Sequence, residues 1–372
     1  LLEKNKKKNT TSIKNTYFEL STPSRKDRSM KMPSRRAFMG AAAGLAMLGA
    51  ARGKAVAEPV NPKASPEARA LLAYIAGLGG KSILSGQHNF PGTISKYTER
   101  VNELTGTYPV VWGQDFGFAA RGADSIEHRP AVIEEAKRQH AAGSIVTLMW
   151  HAVRPVDDEP NGWKESVQNR MSAEQWNELV TPGSAIHARW LAQIDVVAGY
   201  LGTLCDARIP VLWRPYHEMN GGWFWWGKKR GDNGYRALWR MMYDRYVNRH
   251  GLHNLVWVWN TNAPVNRDIL ACDECWPGAE YVDVLATDVY GNEFAQSHHD
   301  DLVKLAAGKP VALGEVGDMP TPEILDRQPR WSWFMTWTDF LEKNNTREEI
   351  LALYRSPRVL TRDEVEIKKV TE

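Results

Sequence analysis

Two glutamates, Glu218 and Glu315, have surroundings that suit an acid and a base acting together. Glu218 lies in VLWRPYHEMNGGWFWW (residues 211–226), where an apolar run is followed by an arginine, a His-Glu pair, two glycines and four aromatic side chains. Glu315 ends a second apolar run, in GEVG (residues 314–317). An apolar run bounded by turn signals predicts a buried strand. Each glutamate is therefore expected where a strand ends.

Cleavage of a glycosidic bond needs one carboxylic acid with a raised pKa and one ionised carboxylate. The aromatic side chains after Glu218 disfavour its charged form, which predicts the acid/base. Arg214, expected on the same strand face as Glu218, and the hydroxyl of Tyr290 would keep Glu315 ionised, which predicts the nucleophile. A carboxyl separation of about 5–5.5 Å would give retention and a larger one inversion. The alternative for either glutamate alone is a buried salt-bridge partner.

Eight apolar runs alternate with helical patterns along the chain. The predicted strands are 82–86, 108–112, 144–150, 209–213, 254–259, 281–287, 310–314 and 332–337. The predicted helices are 66–78, 93–105, 129–141, 184–204, 233–249, 298–307 and 346–360. Runs of this type are buried on both faces, as in parallel sheets. The pattern predicts an α/β fold, a (β/α)8 TIM barrel with a single catalytic domain. A doubly wound sheet is the alternative, but no Gly-rich phosphate loop follows the first strand.

Polar and aromatic residues collect where the predicted strands end. They are Gln87 to Asn89, Asp115, His151, Tyr216 to Glu218, Asn260 to Asn262, Asp288, Tyr290, Glu315 and Trp337. In a barrel of this kind the active site lies at the carboxyl ends of the strands. The sequence therefore predicts one functional rim.

The charge of the chain is uneven. Of the total net charge of +3, residues 1–57 carry +10, which leaves −7 on residues 58–372. The body is thus mildly acidic, and composition offers no argument for binding nucleic acid.

Residues 34–57 have the order of an export signal. SRRAFM (34–39) precedes an apolar run too short to span a bilayer, and AVA (55–57) is a cleavage-type site. The arginine pair predicts a twin-arginine signal and a periplasmic or extracellular protein, free of the membrane once the signal is removed. A chance Arg-Arg before an Ala/Gly-rich helix is the alternative. The expected organisation is a basic extension with signal (1–57), a lead-in (58–64), the barrel (65–362) and a charged tail (363–372).

The three cysteines, Cys205, Cys272 and Cys275, form no disulfide framework. Cys272 and Cys275 predict either a local disulfide or free thiols. Cys or His residues at ligand spacing are lacking around them, so neither a structural metal nor any other cofactor is expected.

Several segments resemble glycoside hydrolase family 26, best known for endo-β-1,4-mannanases. They are WRPYHEMNGGWFWWG (213–227), LVWVWN (255–260), WPGAEYVD (276–283), TDVYG (287–291) and KPVALGEVG (309–317). The resemblance covers about residues 65–362, and HEMNG is its most specific part.

The resemblance implies a retaining enzyme of the large barrel clan, with Glu218 as acid/base and Glu315 as nucleophile. It also implies substrate-binding roles for His151, His217, Trp223, Tyr290 and Trp337. Trp163 aligns loosely as a further sugar platform. Thr338 stands where some relatives carry Arg or Asn, which bears on subsite preference. Asp115 and Asp288 are expected to be structural hydrogen-bonding residues.

The expected partner is β-mannan or a manno-oligosaccharide, bound by a monomer. The same family contains β-1,3-xylanases and enzymes of mixed-linkage glucan, which are the first alternatives. A non-catalytic carbohydrate-binding barrel and a metal-dependent hydrolase are the others. Endo or exo action, and tolerance of galactose side chains, depend on loops at the barrel mouth.

Overall fold

The structure, a computed structural model, describes residues 57–365. The predicted twin-arginine signal, and most of the charged tail, lie outside these residues. Within 57–365, none of the helices has both the length and the apolar character needed to cross a membrane.

The sheet has ten strands, all in parallel pairs. They are β1 (Ile83–Leu84), β2 (Gly86–His88), β3 (Val111–Asp115), β4 (Ile145–Trp150), β5 (Val211–Pro215), β6 (Leu255–Asn262), β7 (Val284–Val289), β8 (Val311–Val316), β9 (Trp331–Thr336) and β10 (Val359–Leu360). Strands β2 to β9 follow one another around a closed barrel, because β9 pairs with both β8 and β2. The prediction of an eight-stranded TIM barrel is confirmed.

The described residues also form ten α-helices. They are α1 (Pro66–Leu78), α2 (Lys96–Thr105), α3 (Arg129–Ala141), α4 (Ala173–Leu179), α5 (Ala185–Asp206), α6 (Tyr235–Asp244), α7 (Gln296–Ala306), α8 (Pro322–Arg327), α9 (Phe340–Lys343) and α10 (Arg347–Tyr354). Helix α1 begins as its sequence predicts, with Pro66 in its first turn and the Ser65 hydroxyl accepting the Ala68 N–H.

The inward-facing positions of β5 and β7 change from apolar to polar along the strand. Near the strand starts, Leu212, Val256 and Val284 pack in one apolar cluster with α1. Because side chains alternate along a strand, the next inward positions of β5 and β7 are Arg214 and, beyond Ala286, Asp288. Helix α1 thus covers the amino-terminal end, and polar groups gather at the opposite mouth.

Most predicted elements are shifted by a few residues at their ends, and two of them differ in kind from the structure. The first predicted strand, 82–86, divides at Ser85 into β1 and β2, because the backbone N–H and hydroxyl of Ser85 both donate to the Leu360 carbonyl. The last predicted helix, 346–360, ends at Tyr354, and its final residues instead form β10, in which Val359 pairs with Ile83.

The cysteines are free thiols. Cys272 lies near the Thr261 hydroxyl and Cys275 is buried against the Met219 carbonyl. Cys272 and Cys275 were predicted to form either a local disulfide or free thiols, and in the structure they are free thiols.

Candidate active site

Glu218 lies in a tight turn directly after β5. Tyr216 (φ 48°) and Glu218 (φ 54°) both have left-handed backbone conformations, which are uncommon for residues with side chains. The Glu218 N–H donates to the Asn260 carbonyl at 2.8 Å, and the Tyr216 hydroxyl accepts from Trp190 Nε1 at 2.9 Å. The expectation that Arg214 and Glu218 share one face of an extended strand was wrong, because the chain turns between them.

The Glu218 carboxyl group is buried, with 7% of the residue exposed. Its Oε2 accepts a hydrogen bond from Trp223 Nε1 at 2.6 Å, and its Oε1 accepts one from Asn262 Nδ2 at 2.8 Å. Burial, followed by the negative charge of Glu315, raises the pKa of Glu218 to about 7. These two hydrogen bonds act in the opposite direction, since they favour the carboxylate.

Glu315 lies in β8 beside an irregularity in the β7–β8 pairing. Thr287 pairs with Leu313 but Asp288 pairs with Glu315, so Gly314 is the extra residue of a bulge. A Cβ at Gly314 would lie 1.6 Å from Asn260 Oδ1, so only glycine fits there. The space beside Gly314 is thus filled by the side chains of Asn260 and Asp288.

The Glu315 carboxylate is held from two sides. Arg214 Nη2 donates to its Oε1 at 2.6 Å, and the Tyr290 hydroxyl donates to its Oε2 at 2.5 Å. His217 Nε2 lies 3.5 Å from the same Oε1. A guanidinium and a hydroxyl donor both stabilise an ionised carboxylate. The predicted partnership of Arg214 and Tyr290 with Glu315 is therefore present in the structure.

Two histidines lie edge to face beside this pair. The rings of His151 and His217 are 4.7 Å apart and nearly perpendicular. Burial lowers the pKa of His217 well below its usual value, so it is neutral. His151 Nδ1 lies 2.5 Å from Asp115 Oδ2. Burial acts to lower the pKa of His151, but the charge of Asp115 outweighs it and raises that pKa.

Asp115 and Asp288 were both expected to be structural hydrogen-bonding residues, but their surroundings differ. Asp115 is a structural hydrogen-bonding residue, since its Oδ1 also accepts the backbone N–H groups of Gly117 and His151. Asp288 is fully buried, and its Oδ2 lies 3.6 Å from Arg214 Nη1. Burial, with the charge of Glu315, raises the pKa of Asp288 well above its usual value. Asp288 thus lies beside the ion pair in surroundings that favour its protonated form.

Trp337 forms an aromatic platform at the end of β9. Its ring is half-buried and stacks on His88 at 4.2 Å, and Phe90 approaches it edge-on. His88 is completely buried, and burial lowers its pKa to about 3, so this ring is neutral. The next residue, Thr338, is 0% exposed. Its side chain therefore does not reach the protein surface.

The aromatic residues after Glu218 have two different roles. Trp223 is half-buried and bonded to the carboxyl group. Trp225 and Trp226 are buried, and their indole N–H groups donate to the carbonyls of Ala152 and His217. The latter two are therefore packing residues. Trp163 is half-buried, with its ring 5.0 Å from that of His151, which places it at the mouth.

One group of potential metal ligands was found among residues 57–365. His217, Glu218 and Asp288 each offer a ligand atom, and these atoms lie within 4.8 Å of one another. Both Glu218 oxygens already accept hydrogen bonds, and the Arg214 cation lies beside Asp288. A divalent ion here would be repelled by Arg214, so the trio is a poor metal site.

Sequence reasoning gave no role to Asn262, Asn220 and His88. Asn262 touches Glu218, Asn220 supports Asn262, and His88 lies under Trp337. The signal for Asn262 was its place in three polar residues at a strand end. Its partner could not be inferred, because the contact joins residues 44 positions apart.

The sequence model of a family described as Glycosyl hydrolase family 26 matches residues 60–364. Among curated proteins, the chain is 34% identical to a mannan endo-1,4-beta-mannosidase of Thermothelomyces thermophilus, over 82% of this chain and 63% of that protein. The chain spans between half and 63% of the length of the first curated relatives that it matches.

Two solved structures are similar over most of their length. GH26A from Muricauda sp. MAR_2010_75 is 44% identical with a TM-score of 0.80, covering 82% of this chain and 99% of that one. A beta-mannanase from a symbiotic protist of the termite Reticulitermes speratus, complexed with gluco-manno-oligosaccharide, is 28% identical with a TM-score of 0.72, covering 83% and 97%.

Proposed function

The chain belongs to glycosyl hydrolase family 26, and from that premise we propose that it hydrolyses β-1,4-mannosidic bonds inside mannan, glucomannan or galactomannan with retention. Two relatives support this choice of substrate: one is named a mannan endo-1,4-beta-mannosidase, and the other is complexed with a gluco-manno-oligosaccharide. In the proposal, Glu315 is the nucleophile and Glu218 the acid/base.

The observation that carries the proposal is the contrast between the two carboxyl groups. Burial raises the pKa of Glu218 to about 7, so it holds a proton near neutral pH. Glu315 instead accepts hydrogen bonds from the Arg214 guanidinium and the Tyr290 hydroxyl, which are donors suited to a carboxylate. Two carboxyl groups in opposite environments are what an acid and a nucleophile require.

In the first step a Glu315 oxygen attacks the anomeric carbon and the glycosidic bond breaks. Glu218 gives its proton to the departing oxygen, which leaves a sugar esterified to Glu315. The half-buried face of Trp337 supports the sugar ring, and His151 and His217 line its polar side.

In the second step Glu218 acts as the base. The negative charge of Glu315 is the second cause of the raised pKa of Glu218. Formation of the ester removes that charge. That pKa then falls, and the Glu218 carboxylate takes a proton from water. The water oxygen attacks the anomeric carbon and the ester bond to Glu315 breaks.

The residue roles are tested with Glu315→Ala and Glu218→Ala. Each should lose at least about a hundredfold in kcat on mannan while staying folded by circular dichroism. Azide should rescue Glu218→Ala with a β-mannosyl azide product, and Glu315→Ala with an α-mannosyl azide. Full activity in either variant, or the opposite pattern of azide products, would remove the assignment.

The substrate and stereochemistry are tested with the wild-type protein. Reducing-sugar release is compared on mannan, glucomannan, β-1,3-xylan and lichenan, and the first anomer formed from mannohexaose is followed by ¹H NMR. The proposal requires mannan or glucomannan to be preferred and the β-anomer to appear first. Preference for xylan or lichenan would identify another activity within the family, and no release from any glycan would indicate a binding protein.

We also propose that the protein is exported through a twin-arginine signal. The support is the sequence alone, in Arg35 and Arg36 before the apolar run. Replacing both with lysine should retain the protein in the cytoplasmic fraction of an expressing bacterium. Unchanged export would refute this route.

A further inference from the structure

We propose that Asn262 is a positioning residue for the acid/base Glu218, and that Asn220 holds Asn262 in place. This role rests on the function proposed above and extends it. Asn262 lies at the end of β6, and Asn220 lies two residues after Glu218 in the turn that follows β5.

The side chain of Asn220 clamps the backbone of Asn262. Its Oδ1 accepts the Asn262 N–H at 2.8 Å, and its Nδ2 donates to the Asn262 carbonyl at 2.7 Å. The same Nδ2 also donates to the Leu270 carbonyl at 3.0 Å. Asn220 is 0% exposed, so water does not compete for these bonds. The clamp therefore ties the end of β6 to the turn that carries Glu218.

A second link joins the same two elements. The Glu218 N–H donates to the Asn260 carbonyl at 2.8 Å. The turn is thus bonded to β6 at alternate residues, Asn260 and Asn262. A residue with a left-handed backbone conformation persists only where several surrounding bonds hold it. Glu218 is such a residue, with a φ of 54°.

The Asn262 side chain, held by these bonds, donates a hydrogen bond to one oxygen of the acid/base Glu218. Its Nδ2 donates to Glu218 Oε1, while Trp223 Nε1 donates to Oε2. One donor on each oxygen fixes the plane of the carboxyl group. Each bond also favours the carboxylate, and so opposes the increase in pKa caused by burial. Asn262 should therefore affect both the direction and the acidity of the catalytic proton.

The test compares two substrates of Asn262→Ala. Mannohexaose needs its leaving oxygen protonated, whereas 2,4-dinitrophenyl β-mannobioside has a leaving group that needs no proton. We expect kcat/KM for mannohexaose to fall at least about tenfold, a part of the effect of general acid catalysis, and kcat/KM for the dinitrophenyl substrate to stay within about twofold. The alkaline limb of the kcat/KM profile for mannohexaose should move up by about one pH unit, because a hydrogen bond to the charged form is lost.

Asn254→Ala is the matched control. Asn254 is a buried asparagine directly before β6, at the opposite end of the strand, and its Nδ2 donates to the Ile209 carbonyl at 2.8 Å. It should lose stability without changing the ratio between substrates or the pH profile. Asn220→Ala should act in the direction of Asn262→Ala, and the double variant should be little worse than Asn262→Ala alone, because the two act in series.

Equal loss on both substrates, an unmoved alkaline limb, or the same behaviour in Asn254→Ala would overturn the proposal. If the wild-type protein cleaves neither mannoside, the proposed function fails, and the positioning role is then decided without substrate. ¹³C NMR titration of the Glu218 carboxyl group in the free protein should show a higher pKa in Asn262→Ala than in the wild type. An unchanged pKa would overturn the positioning role.

Discussion

Replacing Glu218 by glutamine should stabilise the protein in alkaline solution and destabilise it in acid. The pKa of Glu218 is about 7 in the folded protein, against an ordinary value of 4.5. Below about 4.5 the group is protonated whether the chain is folded or not. As the pH rises through about 7, the folded protein is forced to bury a charge. The difference of about 2.5 pKa units corresponds to about 3 kcal/mol of stability lost by pH 8.5.

Glutamine removes the charge but does not restore every hydrogen bond. Trp223 and Asn262 each donate to one carboxyl oxygen, and a glutamine amide offers only one oxygen. One donor loses its acceptor, at a cost of about 1 kcal/mol. Glu218→Gln should therefore be about 2 kcal/mol more stable than the wild type at pH 8.5 and about 1 kcal/mol less stable at pH 4.5.

Calorimetry at pH 4.5 and 8.5 measures this reversal. A gain of about 2 kcal/mol raises Tm by about 3 °C in a domain of this size, while activity on mannan should be lost. Glu348→Gln, at an exposed position, is the control and should change Tm at neither pH. A Glu218→Gln protein that is no more stable than the wild type at pH 8.5 would show that Glu218 is not forced to bury a charge.

Two further perturbations probe the partner carboxylate. Arg214→Met leaves Glu315 without its buried cation, so the free energy of unfolding should fall by about 3–5 kcal/mol at neutral pH. Arg214→Lys restores a cation at this position and should recover part of that loss in urea titrations. Glu315→Gln removes the negative charge that is the second cause of the raised pKa of Glu218. A ¹³C NMR titration of the Glu218 carboxyl group should therefore give a pKa below about 7. An unchanged pKa would mean that the two carboxyl groups do not interact.

Glu218 connects function to stability. The burial and the neighbouring charge that suit Glu218 to its proposed role as an acid near neutral pH also make it unfavourable for folding above that pH. Removing such a group commonly stabilises an enzyme and abolishes its activity. The Asn220 clamp and the link from Glu218 to Asn260 are local bonds that offset this cost.

The barrel was predictable because its signals are local. Each strand is an apolar run and each helix has its own period, and pairing only had to follow chain order. The errors occurred where a distant segment decided the outcome. Residues 359–360 read as the end of a helix, but they form a strand because Ile83 offers them a parallel partner.

The positions of most candidate site residues were predictable from the sequence. Glu218, Glu315, His151, His217, Tyr290 and Trp337 lie at or just after the carboxyl ends of strands, as expected, and the structure brings Arg214 and Tyr290 onto Glu315. Their catalytic and binding roles remain predictions. Trp225 and Trp226, which follow Trp223 directly, proved to be packing residues.

The sequence by itself determined the fold and the rim of the barrel at which the two candidate glutamates lie, because strand period and residue type are properties of neighbouring positions. Only the tertiary structure decided the state of each glutamate, because burial and charge come from residues far apart in the chain. Arg214 lies 101 positions from Glu315, and Asn262 lies 44 from Glu218. The left-handed turn at Glu218 and the bulge at Gly314 orient the two carboxyl groups. Asn260 of β6 contacts both, because its carbonyl accepts the Glu218 N–H and its side chain fills the space beside Gly314.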